Sequence, residues 1–180
     1  MISADLERGS TWPLLTCGLL TLAATLICVN AAFSQTFLTE DPLRHTVVIP
    51  TAILKLLEKS EEVTNCLKNY EQTDEFGAKW FRAVKIDLTG NGPVDYLVKN
   101  HKDCLNGPRA ATFWIFTKSG RGYKQVFTDS VIDLTIERRK TRGFRDIQTD
   151  TTMVNIIRNS WKYNGRVYKL MHTRIIEPGK

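Results

Sequence analysis

Ile86-Asp87-Leu88-Thr89-Gly90-Asn91-Gly92-Pro93-Val94-Asp95-Tyr96-Leu97-Val98 is the stretch on which the fold turns. Two apolar β-type runs flank a loop dense in glycine and oxygen-bearing side chains. Asp87, Thr89, Asn91 and Asp95 stand at loop positions 1, 3, 5 and 9, and Gly92 takes the sharp-turn position 6. Alternate residues of a turning loop can aim oxygens at one centre, as a hard cation requires. Calcium is therefore the candidate cofactor, with Asp87, Thr89, Asn91 and Asp95 as its candidate ligands. Position 12 is Val98 rather than a bidentate acid, which excludes an EF-hand. Equally compatible is a metal-free Asx-type turn that caps two strands with side-chain hydrogen bonds.

The loop has a partial echo 51 residues later, in Arg138-Arg139-Lys140-Thr141-Arg142-Gly143-Phe144-Arg145-Asp146. Gly143 stands for Gly92 and Asp146 for Asp95. Further on, Trp161 to Tyr163 matches Trp114 to Phe116, and Gly165 to Tyr168 matches Gly120 to Tyr123. Four short strands per unit at this period is the scale of a propeller blade. In the second copy the cation-facing positions are Arg138, Lys140 and Arg142. A fixed positive group there substitutes for a metal, or the turn is an exposed basic tip; a guanidinium of the same loop is placed to pair with Asp146.

Residues 86–98, with Phe76-Gly77 before them, resemble a unit of the FG-GAP and VCBS-type repeats of extracellular proteins. The resemblance covers residues 76–100 and, more faintly, 131–170. It implies a β-propeller-type blade, a calcium loop at Asp87, Asn91 and Asp95, and a role in extracellular adhesion or ligand display. Thr89 departs from the pattern by replacing an acid, and two units are too few to close a propeller.

Outward from this loop, the chain reads as an α+β protein with an N-terminal helical unit packed on an antiparallel assembly of two blade-like repeats. Ile53, Leu56 and Leu57 make one apolar stripe after Pro50, and Val63 and Leu67 resume it beyond Lys59-Ser60-Glu61-Glu62. Two short helices or one kinked helix fit residues 50–70. Strands are expected at 80–87, 95–100, 112–117, 123–128, 131–136, 144–149, 155–163 and 167–174, so the repeats span 79–128 and 131–174. Asn164-Gly165 predicts a hairpin turn with two positive-φ residues. Residues 35–49 carry few markers and read as extended.

At the N-terminus, the 18 residues Trp12–Val29 form an apolar run that ends in Ala31-Ala32-Phe33-Ser34. This order matches a secretory signal peptide over 1–34, with cleavage before Gln35 and a single domain over 35–180. An uncleaved anchor is the alternative, and it would be the chain's only contact with a membrane. Either reading places the domain in a periplasmic or secreted setting. Cys66 and Cys104 then read as a disulfide, which would stabilise the fold by ~4 kcal/mol. Free thiols, or a thiol–metal site that enlists His101, are the competing readings.

Charge divides the chain. Residues 35–98 carry 7 Lys/Arg against 10 Asp/Glu, whereas residues 99–180 carry 17 against 7. The basic half points to an anionic partner, with Arg138, Arg139, Lys140 and Arg142 as candidate ligand-binding residues. An anionic polysaccharide, a lipid or an acidic protein fits an exported chain; nucleic acid does not. No catalytic residues are assigned, because no G-x-S-x-G, H-E-x-x-H or Walker-type loop occurs and His45, His101 and His172 are scattered. The expected function is a non-enzymatic binding or adhesion module. A small cell-wall-directed hydrolase, or an inhibitor of one, is the alternative.

Overall fold

A computed structural model describes residues 34–69, 75–107, 109–152 and 155–177. The signal-peptide reading falls, but for Ser34, outside the described residues. Ten strands run in chain order: β1 (Gln35–Leu38), β2 (Phe81–Ile86), β3 (Asp95–Asn100), β4 (Asn106–Gly107), β5 (Ala110–Ser119), β6 (Gly122–Val131), β7 (Asp133–Thr141), β8 (Phe144–Thr152), β9 (Ile156–Tyr163) and β10 (Tyr168–Ile176). Among the described residues two helices, α1 (Thr51–Glu58) and α2 (Glu61–Asn69), precede β2. The described residues are thus mostly β, with a two-helix unit between β1 and β2 and every strand pair antiparallel.

The strands make two sheets. In the first, β2, β3, β5 and β6 meander in sequence, and the two-residue β4 lies beside the start of β5. In the second, β7, β8, β9 and β10 meander likewise, and β1 adds itself to β7. The chain passes between sheets at Ile132. Its amide donates to the Asp150 carbonyl at 2.8 Å, and its carbonyl accepts from the Thr39 amide at 2.7 Å.

All six residues of β3 are buried because both faces of the first sheet are covered. One face presents Ala83, Val98, Trp114 and Phe116 to the helices, which contribute Ile53, Leu57, Val63 and Cys66. The other presents Val84, Ile86, Leu97, Phe113 and Ile115 to Leu134, Ile136 and Ile147 of the second sheet. Strands covered on both sides read as continuous apolar runs instead of alternating ones, which is why residues 110–117 carry so little polarity. Burying Leu57 stabilises the layer by roughly 1.5–3 kcal/mol. Truncating it to alanine would cost roughly 2–5 kcal/mol once the cavity is included. A bulge at Val126 lets two neighbouring residues, Val126 and Phe127, both enter the inter-sheet core.

The helical unit resolves as two helices. Pro50 precedes α1, and its carbonyl accepts from the amides of Ile53 and Leu54. The second helix carries Glu61 and Glu62 in its first turn and Lys68 in its last, the charge order that a helix dipole favours. Cys66 of α2 and Cys104, in a short 3-10 turn over Asp103–Leu105, form a disulfide with 5.5 Å between Cα atoms. It ties the helical layer to the segment between β3 and β5.

A second tie is polar. The buried Lys99 ammonium donates to the carbonyls of Leu38, Thr39 and Asp41 at 2.9, 2.5 and 2.8 Å. Burial pulls its pKa below the ordinary lysine value, and the charge of Asp41 opposes that shift. This clamp holds the chain as it leaves β1. Strand β1 carries few marks in the sequence because its partner, β7, lies about a hundred residues away and supplies the reason for the strand.

Candidate binding surface

The 87–95 loop joins β2 to β3. Gly90 and Gly92 take φ of 83° and 106°, conformations open to glycine and costly to other residues. Asp87 Oδ1 accepts from the Gly90 amide at 2.6 Å, an Asx-type turn. Asp95 is buried at the base of the loop. Its Oδ1 accepts from Thr117 Oγ1 at 2.6 Å and its Oδ2 from the Leu88 amide at 3.3 Å. Burial raises its pKa, and these two hydrogen bonds hold the shift back.

A cation does stand at this loop, and it belongs to the protein. Lys140, on β7, donates its ammonium to the Thr89 carbonyl at 2.6 Å, and a Cβ on Gly90 would overlap its Nζ. A calcium ion here would compete with Lys140 for backbone oxygen while Asp95 stays engaged by Thr117 and Leu88. Asp87, Thr89 and the exposed Asn91 are the remaining side-chain donors of the proposed set. Among the described residues no three His, Cys, Asp or Glu side chains gather as a metal-ligating group.

Arg138, Arg139, Lys140 and Arg142 all lie on the β7–β8 hairpin, and the fold gives them different tasks. Arg142 and Gly143 form a two-residue turn between the paired Thr141 and Phe144, with φ of 52° and 83°. Arg139 is 75% exposed and pairs at 3.7 Å with Asp146, whose side chain is 10% exposed. Arg138 is exposed. Arg142 Nη1 donates to the Asn164 carbonyl at 2.9 Å, which binds this tip to the β9–β10 turn. That turn differs from expectation. Only Gly165 adopts positive φ, and Asn164 Oδ1 accepts from the amides of Arg166 and Val167, so the loop is four residues closed by an Asx cap.

The two tips make a single basic end of the second sheet, and the fold adds residues that sequence reasoning missed. Lys162 pairs directly across from Lys169, and Arg158 from Arg174. Their common face, the one turned away from the first sheet, also carries His172 and Arg166 lies in the adjoining turn. Like charges opposite each other destabilise a strand pair. Arg158 is compensated by a two-pronged contact with Asp150, at 2.8 and 2.6 Å. Asp133, opposite Asp150, has its pKa raised by burial and then by the Asp150 charge. The signature in the sequence was legible: residues 156–176 hold five Lys/Arg and no Asp or Glu.

Other candidates fare differently. Trp80, Trp114, Tyr163 and Tyr168 are buried and build core. Burial raises the Tyr168 pKa, and its hydroxyl donates to the Arg145 carbonyl at 2.6 Å. A cleft of about 500 Å³ beside β1 is lined by Phe37, Leu43, Val84 and Pro93, and among the described residues Asp41 is its single carboxylate and His45 its single imidazole. His101 and His172 lie elsewhere on the surface. Among the described residues no helix is long and apolar enough to cross a membrane. No family model, no curated protein and no solved structure matches this chain.

Proposed function

We propose that this chain is an exported, non-enzymatic binding module whose basic sheet end engages an anionic envelope component or an acidic protein. The observation that carries the reading is the Arg142–Asn164 hydrogen bond, which fastens two cationic hairpin tips into one surface. Arg138, Arg139, Arg142 and Arg166 supply its exposed charge, while Lys140, also exposed, ties it to the 87–95 loop. Closely spaced cations at a strand end raise the local potential for an anion beyond that of scattered charges.

The two meanders suit this reading as two copies of one blade-like unit of FG-GAP type. In each, the long or basic loop joins the first two strands, and a glycine turn, at Gly120 or Gly165, joins the last two. Calcium enters only as a competitor of Lys140 at the 87–95 loop. The hydrolase alternative would require a second carboxylate facing His45 in the cleft beside β1, where Asp41 stands by itself among the described residues.

Heparin, a sulfated polysaccharide, is a suitable probe. Its affinity should fall steeply with added salt, and Arg138→Ala, Arg139→Ala, Arg142→Ala and Arg166→Ala together should weaken it roughly tenfold or more at low salt. Unchanged affinity in that variant, with its melting temperature retained, overturns the reading.

A further inference from the structure

Strand β10 closes the second sheet, and among the described residues no strand pairs with its outer edge. Seven of its nine residues, Lys169–Ile175, are exposed, which is unusual for a strand of this length in a two-sheet core. Its two faces have distinct chemistry. Lys169, His172 and Arg174 point away from the first sheet, whereas Leu170, Thr173 and Ile175 point along the core side, beyond where the first sheet covers it. Leu170 is 48%, Met171 50% and Ile175 67% exposed. An edge with unpaired backbone and exposed aliphatic side chains is a template for another strand.

Self-pairing is opposed by charge. Two copies joined at β10 would bring together two ribbons that each hold five Lys/Arg and no acid over residues 156–176. The cross-strand pairs Lys162–Lys169 and Arg158–Arg174 already crowd positive charge on one face. Alternation sets what an added strand must carry: carboxylates over Lys169, His172 and Arg174, and aliphatic side chains over Leu170 and Ile175. The bulge at Met171 shifts this register midway along the strand, so the pattern divides into two short runs.

We propose that β10 binds, by strand addition, an extended segment of an acidic protein partner in which carboxylate and aliphatic residues alternate. The inference rests on the anionic-partner reading above and narrows it to the acidic-protein arm. Backbone hydrogen bonds supply the directionality and the cationic face supplies the selection.

Three synthetic ten-residue peptides test it against the full chain by NMR titration. One alternates Glu and Val, one is the same peptide N-methylated at every second residue, and one is polyglutamate. The alternating peptide should shift the amides of Lys169–Ile176, and N-methylation should weaken it roughly tenfold or more, since it removes donors without touching charge. Equal binding of the N-methylated peptide or of polyglutamate, or shifts confined to Arg138–Arg142, overturns strand addition while leaving the basic-end reading standing. Absence of binding by all three, or a β10-mediated dimer in sedimentation that the alternating peptide does not dissociate, also overturns it. Loss of heparin binding in the arginine variant is a separate readout, so the two proposals fail separately.

Discussion

Lys140 Nζ donates to the Thr89 carbonyl at 2.6 Å, and the two residues are 51 positions apart. That is the same spacing that relates Asp87 to Arg138 and Asp95 to Asp146, so counterparts in the two copies touch each other. The adjoining backbone is joined too, because the Arg145 amide donates to the Leu88 carbonyl at 2.8 Å. The loop of one sheet is thereby fastened to the first hairpin of the other.

Replacing Lys140 with alanine should destabilise the domain by at most about 1 kcal/mol, because this charge-assisted bond is exposed to solvent. Gly90→Ala should cost about 1 kcal/mol or more through its positive φ, and the double variant should regain none of that backbone part. Urea denaturation measures both. The same curves recorded with millimolar calcium and with chelator test the competition: stabilisation by calcium should be larger in the Lys140→Ala variant, and a response smaller than that of the parent chain would rule the competition out.

Reduction of the Cys66–Cys104 bond should lower stability by ~4 kcal/mol, because the bridge closes a separation of 38 residues in the unfolded chain. The paired Cys66→Ser, Cys104→Ser variant should match the reduced protein in its denaturation midpoint. Loss of less than about 1 kcal/mol would mean that Leu57 and Val63 hold the helical layer in place without it.

Asp95 sets a pH dependence of defined sign. Its folded pKa is raised by burial, so the folded state holds the proton more tightly than the unfolded chain. Its stabilising contribution is complete below the ordinary aspartate value of about 3.9 and is lost as pH rises through the folded pKa. The stability difference between the parent and Asp95→Asn should therefore decline as pH climbs from about 4, then level off. A difference that grows with pH would show that the Thr117 and Leu88 hydrogen bonds outweigh burial. Asp129 and Asp133, also raised by burial, act in the same direction.

Lys99→Met preserves length but leaves the carbonyls of Leu38, Thr39 and Asp41 without their donor. A loss of roughly 1–3 kcal/mol is expected, together with faster hydrogen exchange at β1. Exchange at β1 equal to that of the parent would mean that the ladder to β7 suffices.

Much of the secondary structure was legible because its causes are local. Pro50 and the Ile53–Leu57 stripe mark α1, and short runs rich in β-branched and aromatic residues, bounded by glycine, asparagine and aspartate, mark eight of the strands. Asn164 misled because its side chain had two uses. It favours positive φ, but its Oδ1 instead caps the amides of Arg166 and Val167. Arg142 held no such marker, yet the Arg142-Gly143 turn accepts positive φ at both residues, since the pairing of Thr141 with Phe144 leaves just two residues to reverse the chain.

By itself, then, the order of residues determined the helical stretch, the strand runs, the sulfur pair and the charge division, all of which depend on neighbours or on composition. Tertiary structure alone decided that β1 joins the second sheet, that Lys140 faces Thr89, and that Lys162 and Lys169 crowd one face. Those outcomes depend on which distant backbone edges meet. A pairing register shifted by one residue would turn each of these side chains to the opposite face, and no local preference encodes that choice.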